Sequence, residues 1–222
     1  MSNLGFVHLR VVNPYEASFR EARSAVGAAP LLKRAEEFKS VAEAIADCSL
    51  VIGTTAAHNR ELHQPLISLP KAAPLIRRRL RSGRVALLFG SEKRGLSNSD
   101  LSYCHWLLRI PTREEHGSMN LGQAVAVCLY ELARAGNSGK HAKMPPDRQK
   151  DPDGPASAGK LDRVTELLLE SLRASGYLGQ RPAPAKEEKI RRMVRRLDLS
   201  ADDAETLLGM LRQIAWKLQI QD

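Results

Sequence analysis

The chain has 222 residues, 43% of them hydrophobic and 27% charged, ordinary values for a soluble globular protein that holds one domain and an appendage. Its 34 Lys and Arg against 25 Asp and Glu leave a net charge of +9: +6 on residues 1–135 (18 basic, 12 acidic) and +3 on residues 136–222 (16 basic, 13 acidic). It contains no run of about 18 apolar residues and no secretory leader pattern, which argues against membrane insertion and secretion and for a cytoplasmic protein.

Phe6 to Val12 reads as a strand that Asn13-Pro14 ends, and Glu16 to Ser24 as a helix with Phe19 and Ala22 inward. Ser40-Val41-Ala42-Glu43 fits a capping box, so a helix runs from there to about Asp47. Ser49 to Gly53 is the next strand and opens into Thr54-Thr55-Ala56-Ala57-His58-Asn59-Arg60. A helix over Leu69–Ser82 carries Pro70 and Pro74, with Gly83 as its expected carboxyl-terminal cap. Strands alternating with helices predict an α/β fold, a mostly parallel sheet with helices on both faces.

Val85 to Leu132 organises the rest. Val85-Ala86-Leu87-Leu88-Phe89 is short and apolar enough for a buried parallel strand, and Gly90-Ser91-Glu92-Lys93-Arg94-Gly95 follows directly. The two glycines let backbone approach a ligand or take positive φ, or they serve to turn the chain. Trp106 to Ile110 is a second strand, stopped by Pro111. Ser118-Met119-Asn120 then leads into an amphipathic helix from about Leu121 to Arg134, which Ser118 or Asn120 is placed to cap. Two strands that each end in a polar loop are how an open α/β sheet builds a ligand crevice.

Residues 136–160 are rich in Gly, Pro, Ser, Lys and Asp and read as a flexible linker. Residues 161–222 read as a helical extension. Leu161, Val164, Leu167, Leu168 and Leu172 form one apolar stripe, and helices near Lys186–Leu197 and Asp202–Leu218 follow the Arg181-Pro182-Ala183-Pro184 break. This trio either packs on the α/β domain or helps build a dimer. Cys48, Cys104 and Cys128 have no metal-type spacing and read as core residues; His58, His63, His105 and His116 form no ligand pattern, so no metal is expected.

Excess positive charge on both parts suits a polyanionic partner such as RNA; a basic proteome or plain solubility is the other reading. Arg77, Arg78, Arg79, Arg81 and Arg84 cluster before the Val85 strand, and Arg191, Arg192, Arg195 and Arg196 lie along one side of a helix. Either cluster can contact phosphates or form a solvated face.

Leu87-Leu88-Phe89-Gly90-Ser91-Glu92-Lys93-Arg94-Gly95-Leu96-Ser97 and the stretch from Ile110 to Leu132 resemble the second and third motifs of the SpoU/TrmH branch of the SPOUT RNA methyltransferases. Within it they are most similar to TrmJ-like tRNA 2′-O-methyltransferases. The likeness covers residues 1 to about 135 and, more weakly, the carboxyl-terminal helices. It implies a trefoil-knotted α/β fold, a homodimer with the active site near the subunit interface, S-adenosylmethionine as cofactor and a tRNA anticodon-loop nucleotide as substrate. By the same resemblance, Thr54, Thr55, Ala56, Gly90, Ile110, Gly117, Ser118 and Met119 contact the cofactor. Glu92 organises the active site, and Ser118 and Asn120 orient substrate and cofactor loops. From their charge alone, Arg60, Arg78 and Arg81 are the basic positions expected to meet RNA. The family's first motif, Asn-x-Gly-x-x-x-Arg with its catalytic arginine, does not occur in the chain, and Ala57 stands where the family has an arginine. Met1 to Phe6 resembles the end of the helix that carries the first-motif arginine, which implies an apolar strand and that motif in frame upstream of Met1. The competing expectation is an RNA- or cofactor-binding module without catalysis. No GxGxxG or Walker A sequence supports another nucleotide-binding class.

Overall fold

The structure, a computed structural model, describes residues 1–13, 29–56, 62–113, 115, 117, 119–134, 151–179 and 183–219. A 3-10 turn at Ser2–Leu4 is followed by β1 (Arg10–Val12), α1 (Ala29–Lys33), β2 (Glu36–Phe38), α2 (Val41–Ile45), β3 (Leu50–Thr54), β4 (Leu66–Ser68) and α3 (Leu69–Arg79). Then come β5 (Val85–Leu88), α4 (Asn98–Ser102), β6 (Trp106–Arg109), α5 (Leu121–Arg134), α6 (Ala158–Ala174), α7 (Pro184–Arg196) and α8 (Ala201–Gln219).

Strands β3 to β6 form one parallel sheet in the order β4-β6-β3-β5, with Leu50 opposite Val85, Ile52 opposite Trp106 and Leu66 opposite Leu107. Successive side chains point to opposite faces of a strand, and both faces are covered. Leu50, Ile52 and Leu108 meet Leu69, Ala72, Ala73 and Ile76 of α3 and Cys128, Leu129 and Leu132 of α5. Val51 and Leu107 meet Ile45, Cys48, Leu101, Cys104 and Ala158 on the other side. Parallel sheets need this double cover, because the crossover helices must bury their own apolar stripes against them. All three cysteines are buried, as expected.

Several expectations shift. The first strand is shorter than Phe6–Val12, and Phe6 instead packs on the α3/α5 core together with Met1 and Leu4. The turn before it ends at Gly5 with φ 84, in keeping with a helix end. Four elements were not expected: α1, β2, β4 and α4. The strand β2, Glu36-Glu37-Phe38, has no apolar alternation and exists by pairing in parallel with β1. The helix α3 ends at Arg79, and Gly83 is not its left-handed cap: a Cβ on Gly83 would lie 2.4 Å from Ser49 Oγ, so close approach of β3 accounts for this glycine. The apolar strand β5 stands at the sheet edge and is half-buried throughout, rather than enclosed on both sides. At α2, Ser40 Oγ accepts from Glu43 N–H at 3.2 Å, while the Glu43 carboxylate takes Lys39 N–H at 3.1 Å instead of that of Ser40. A full capping box forms at Ser97 and Asp100. The expected helix over 16–24 lies outside the described residues.

The carboxyl-terminal helices pack on the α/β layer. Ala156 and Ala158, at the end of the stretch expected to be linker, are buried; residues 136–150 of it lie outside the described residues. Ala158 N–H bonds to Cys48 O at 2.7 Å and Gly159 N–H to Ala46 O at 3.0 Å. Arg191 reaches Ser102 Oγ at 3.0 Å with its guanidinium 4.3 Å from the Tyr103 ring centre, and Arg79 pairs with Asp198 at 3.0 Å. Ala46, Cys48 and Tyr103 all lie just before a strand begins, so this layer docks at the amino-terminal edge of the sheet.

Candidate active site at the carboxyl edge of the sheet

All strands of a parallel sheet end at one edge, so the chain leaves the neighbours β6, β3 and β5 side by side. The loops after them are residues 110–120, 54–56 and 89–96, the three expected to share a pocket. Thr54 Oγ1 donates to Leu88 O at 2.8 Å and Thr55 N–H to Leu108 O at 3.0 Å, tying the three loop bases together. The Thr54 hydroxyl proton therefore serves loop placement. Ala56 beyond them is exposed.

The loop after β5 folds tightly on itself. Ser91 and Gly95 form an antiparallel bridge, Gly95 N–H bonds to Ser91 O at 2.8 Å, and Leu96 is buried as its anchor. Gly95 has φ 66, a region where a side chain is strained. A Cβ on Gly90 would lie 2.0 Å from Gly95 C and 2.2 Å from Leu96 N. Gly90 is thus required by the returning chain itself, whatever ligand approaches it. Glu92 is exposed in the turn, beside Lys93 and Arg94.

In the third loop Ile110, Gly117 and Met119 are half-buried, Ile110 against the α3/α5 core. Asn120 Oδ1 accepts from Gln123 N–H at 3.3 Å and its carbonyl from Ala124 N–H at 2.9 Å, so Asn120 caps α5. Ser118, Ala57, His58, Arg60 and His116 lie outside the described residues. Arg78 and Arg81 are exposed but stand at the other edge of the sheet, because α3 runs back against the strands before β5 starts. Arg77, Arg79 and Arg84 beside them are engaged by Glu131 O, Asp198 and Asp47.

Phe89 and Ile110 pack against the α3/α5 core and Met119 is half-buried, so apolar side chains stand next to loop backbone, the chemistry that an adenine ring with its hydrogen-bonding edge requires. The residues present thus fit S-adenosylmethionine. The cysteines are unsuited to nucleophilic work: burial pushes the Cys48 and Cys104 thiols up to about 12. His105 is structural too. Its Nδ1 accepts from Val51 N–H at 3.1 Å, and burial, with Arg195 adding to it, lowers its pKa to about 4. Among the described residues no group of His, Cys, Asp and Glu is arranged to hold a metal, and no helix is long and apolar enough to cross a membrane. Sequence reading missed the cleft lined by Lys189 and His63; the signal was Lys189 three residues before Arg192 and seven before Arg196.

The profile of the SpoU rRNA Methylase family matches residues 1–130. The tRNA (cytidine/uridine-2′-O-)-methyltransferase TrmJ of Yersinia pestis (strain Pestoides F) is 31% identical over 215 residues, covering 96% of this chain and 83% of its own. The protein of that name from Klebsiella pneumoniae is also 31% identical, covering 96% and 87%. Among solved structures, TrmJ from Z. mobilis ZM4 superposes with a TM-score of 0.80 at 29% identity, covering 96% of this chain and 89% of its own. A probable methylase family protein from Haemophilus influenzae Rd KW20 gives a TM-score of 0.56 at 26% identity, covering 100% and 89%.

Proposed function

Because this chain belongs to the SpoU rRNA Methylase family, we propose that it is an RNA ribose 2′-O-methyltransferase acting on tRNA, with S-adenosylmethionine as methyl donor. The observation that carries this reading is similarity running through 96% of the chain to proteins named tRNA (cytidine/uridine-2′-O-)-methyltransferase. The target, a nucleotide of the anticodon loop, is part of the proposal, as are a deep trefoil knot at the cofactor loops and a cytoplasmic location.

Bound S-adenosylmethionine supplies a methyl group on a positively charged sulfur. Loop residues Thr54, Thr55, Ala56, Gly90, Ile110, Gly117, Ser118 and Met119 hold it. Glu92, exposed at the same edge, accepts a hydrogen bond from the ribose 2′-hydroxyl and polarises it. Ser118 and Asn120 orient the loop and the substrate, and much of the rate comes from that positioning. Arg60, Arg78 and Arg81 meet phosphates. The enzyme is a homodimer. The helix α5 begins in the third site loop and exposes Gln123, Ala126, Val127 and Tyr130 as one stripe, Tyr130 being 57% exposed, so a second copy on that stripe stands beside the site.

The test supplies the purified chain with methyl-labelled S-adenosylmethionine and an unmodified tRNA transcript, and maps the product by nucleoside mass spectrometry. The expected result is 2′-O-methylcytidine or 2′-O-methyluridine in the anticodon loop. Absence of both methylation and cofactor binding, the latter by calorimetry, would overturn the reading. Binding of both ligands without methylation would favour the second reading, a non-catalytic RNA- and cofactor-binding module.

A further inference from the structure

The helix α7 is bolted to the molecule on two sides. Arg195, 2% exposed, pairs with Asp162 of α6 at 2.6 Å, and Arg191 holds Ser102 and stacks on Tyr103. These contacts use two of the four arginines. The other two, Arg192 and Arg196, share a stripe with Lys189 at spacings of three and four residues, and that stripe faces a cleft of about 320 Å³. His63 closes the opposite wall, and the loop carrying it is fixed by Gln64, whose Nε2 donates to Leu101 O at 2.5 Å. Arg192 is 9% exposed and its acidic neighbour within ion-pair range is Glu188, at 3.6 Å. Among the described residues the three cations on the stripe therefore exceed the one carboxylate paired with them. Holding like charges around a concave, partly dehydrated space is costly unless an anion enters it.

The position of the cleft adds to its meaning. His63 precedes β4 and Tyr103 precedes β6, so the cleft lies at the amino-terminal edge of the sheet. The cofactor loops occupy the opposite edge, roughly 15 Å away for strands of four or five residues. Arg78 and Arg81 stand at the same edge of the sheet, and Arg79 between them pairs with Asp198, two residues beyond Arg196. A ligand that touches both edges must be long and repeatedly negative.

We propose that the Lys189–Arg192–Arg196 cleft is a distal binding site for an RNA backbone phosphate, gripping the substrate on the face of the molecule away from the methylated ribose. The proposal rests on the tRNA reading above and extends it to a second point of contact. Phosphate contacts position a nucleic acid without reading its sequence, so the cleft sets affinity and orientation, while the loops at the carboxyl edge select the nucleotide.

The test uses the exposed pair, Lys189→Glu with Arg196→Glu, which leaves Arg192 and both bolts intact, and Arg192→Gln as a second variant. The control is Arg212→Glu with Lys217→Glu at exposed positions of α8, which changes net charge by the same amount as the charge-reversed pair. Fluorescence anisotropy with an unmodified tRNA transcript is read across a salt series, and S-adenosylmethionine affinity by calorimetry. Each cleft variant should bind tRNA at least about tenfold more weakly at low salt. Their plots of log affinity against log salt should flatten by about 0.7–0.9 for each phosphate that the protein no longer neutralises. Cofactor affinity should not move, and the control should stay near wild type. Unchanged tRNA affinity and salt slope in the cleft variants, with wild type binding normally, would overturn the distal site and leave the methyltransferase reading standing. An equal loss in the control would assign the effect to net charge and overturn it too. Wild-type protein that binds cofactor but no tRNA would overturn both.

Discussion

Gly90 and Glu92 lie two residues apart and answer to different constraints. A side chain at Gly90 collides with the backbone of Gly95 and Leu96, so Gly90→Ala should open the 90–96 turn. The cost should be about 1–3 kcal/mol by urea unfolding, with cofactor affinity lost alongside. Glu92→Gln changes an exposed side chain, so stability should stay within about 0.5 kcal/mol while kcat falls. Equal loss of stability and activity in Glu92→Gln would remove that carboxylate from the chemistry. His105 governs a different observable. Its folded pKa of about 4 lies below the ordinary 6.5, so the unfolded chain binds a proton that the folded one refuses. Its contribution is complete above pH 6.5 and is lost as pH falls toward 4, by about 3 kcal/mol. Asp47, held well below the usual carboxylate range by the Arg10 hydrogen bond and by Arg84, adds a separate loss at still lower pH. Unfolding free energies measured between pH 7 and 4 should decline in wild type and stay flatter in His105→Gln.

At the level of elements, the ion pair between α6 and α7 decides how the helical layer is held. Arg195 is buried and Asp162 largely so; burial pushes the Asp162 carboxyl up while Arg195 pulls it back, and Asp162 Oδ2 and Arg195 Nε have no partner among the described residues. Asp162→Ala leaves a guanidinium enclosed without its counter-charge and should cost about 3–5 kcal/mol. Asp162→Leu combined with Arg195→Met should recover most of that loss, since an apolar pair of similar volume avoids the dehydration penalty. Chemical denaturation of the single and double variants checks both statements. Elsewhere the elements follow their local signals: α3 buries Leu69, Ala72, Ala73 and Ile76 at helical spacing, and Pro70 sits in its first turn, where no amide is needed.

For the whole molecule, the arrangement of edges separates functions. The helical layer docks at the amino-terminal edge, which leaves the carboxyl edge and the outer face of α5 uncovered by it. Val127→Glu with Tyr130→Glu should therefore yield a folded monomer by light scattering with methyl transfer lost, because the proposed partner stands beside the site. A dimer that survives both charges would move the interface elsewhere, for instance to the exposed Met210 and Ile214 of α8.

The sequence by itself determined the parallel α/β class, the two loops after the apolar runs at Val85 and Trp106, helix α5 and the three core cysteines. Each of these follows from short-range pattern: apolar runs, periodicity and chain breakers, all of which act within a few residues. Tertiary structure decided what depends on two distant segments meeting. Glu36-Glu37-Phe38 is a strand because β1 lies beside it. Gly83 and Gly90 are glycines because Ser49 and Gly95 come close. Arg78 and Arg81 sit at the edge away from the cofactor loops because a crossover helix must run back against the strands it joins. The α7 arginines, equivalent in sequence, divide into two that anchor and two that line a cleft, since which face of a helix is buried is settled by its neighbours.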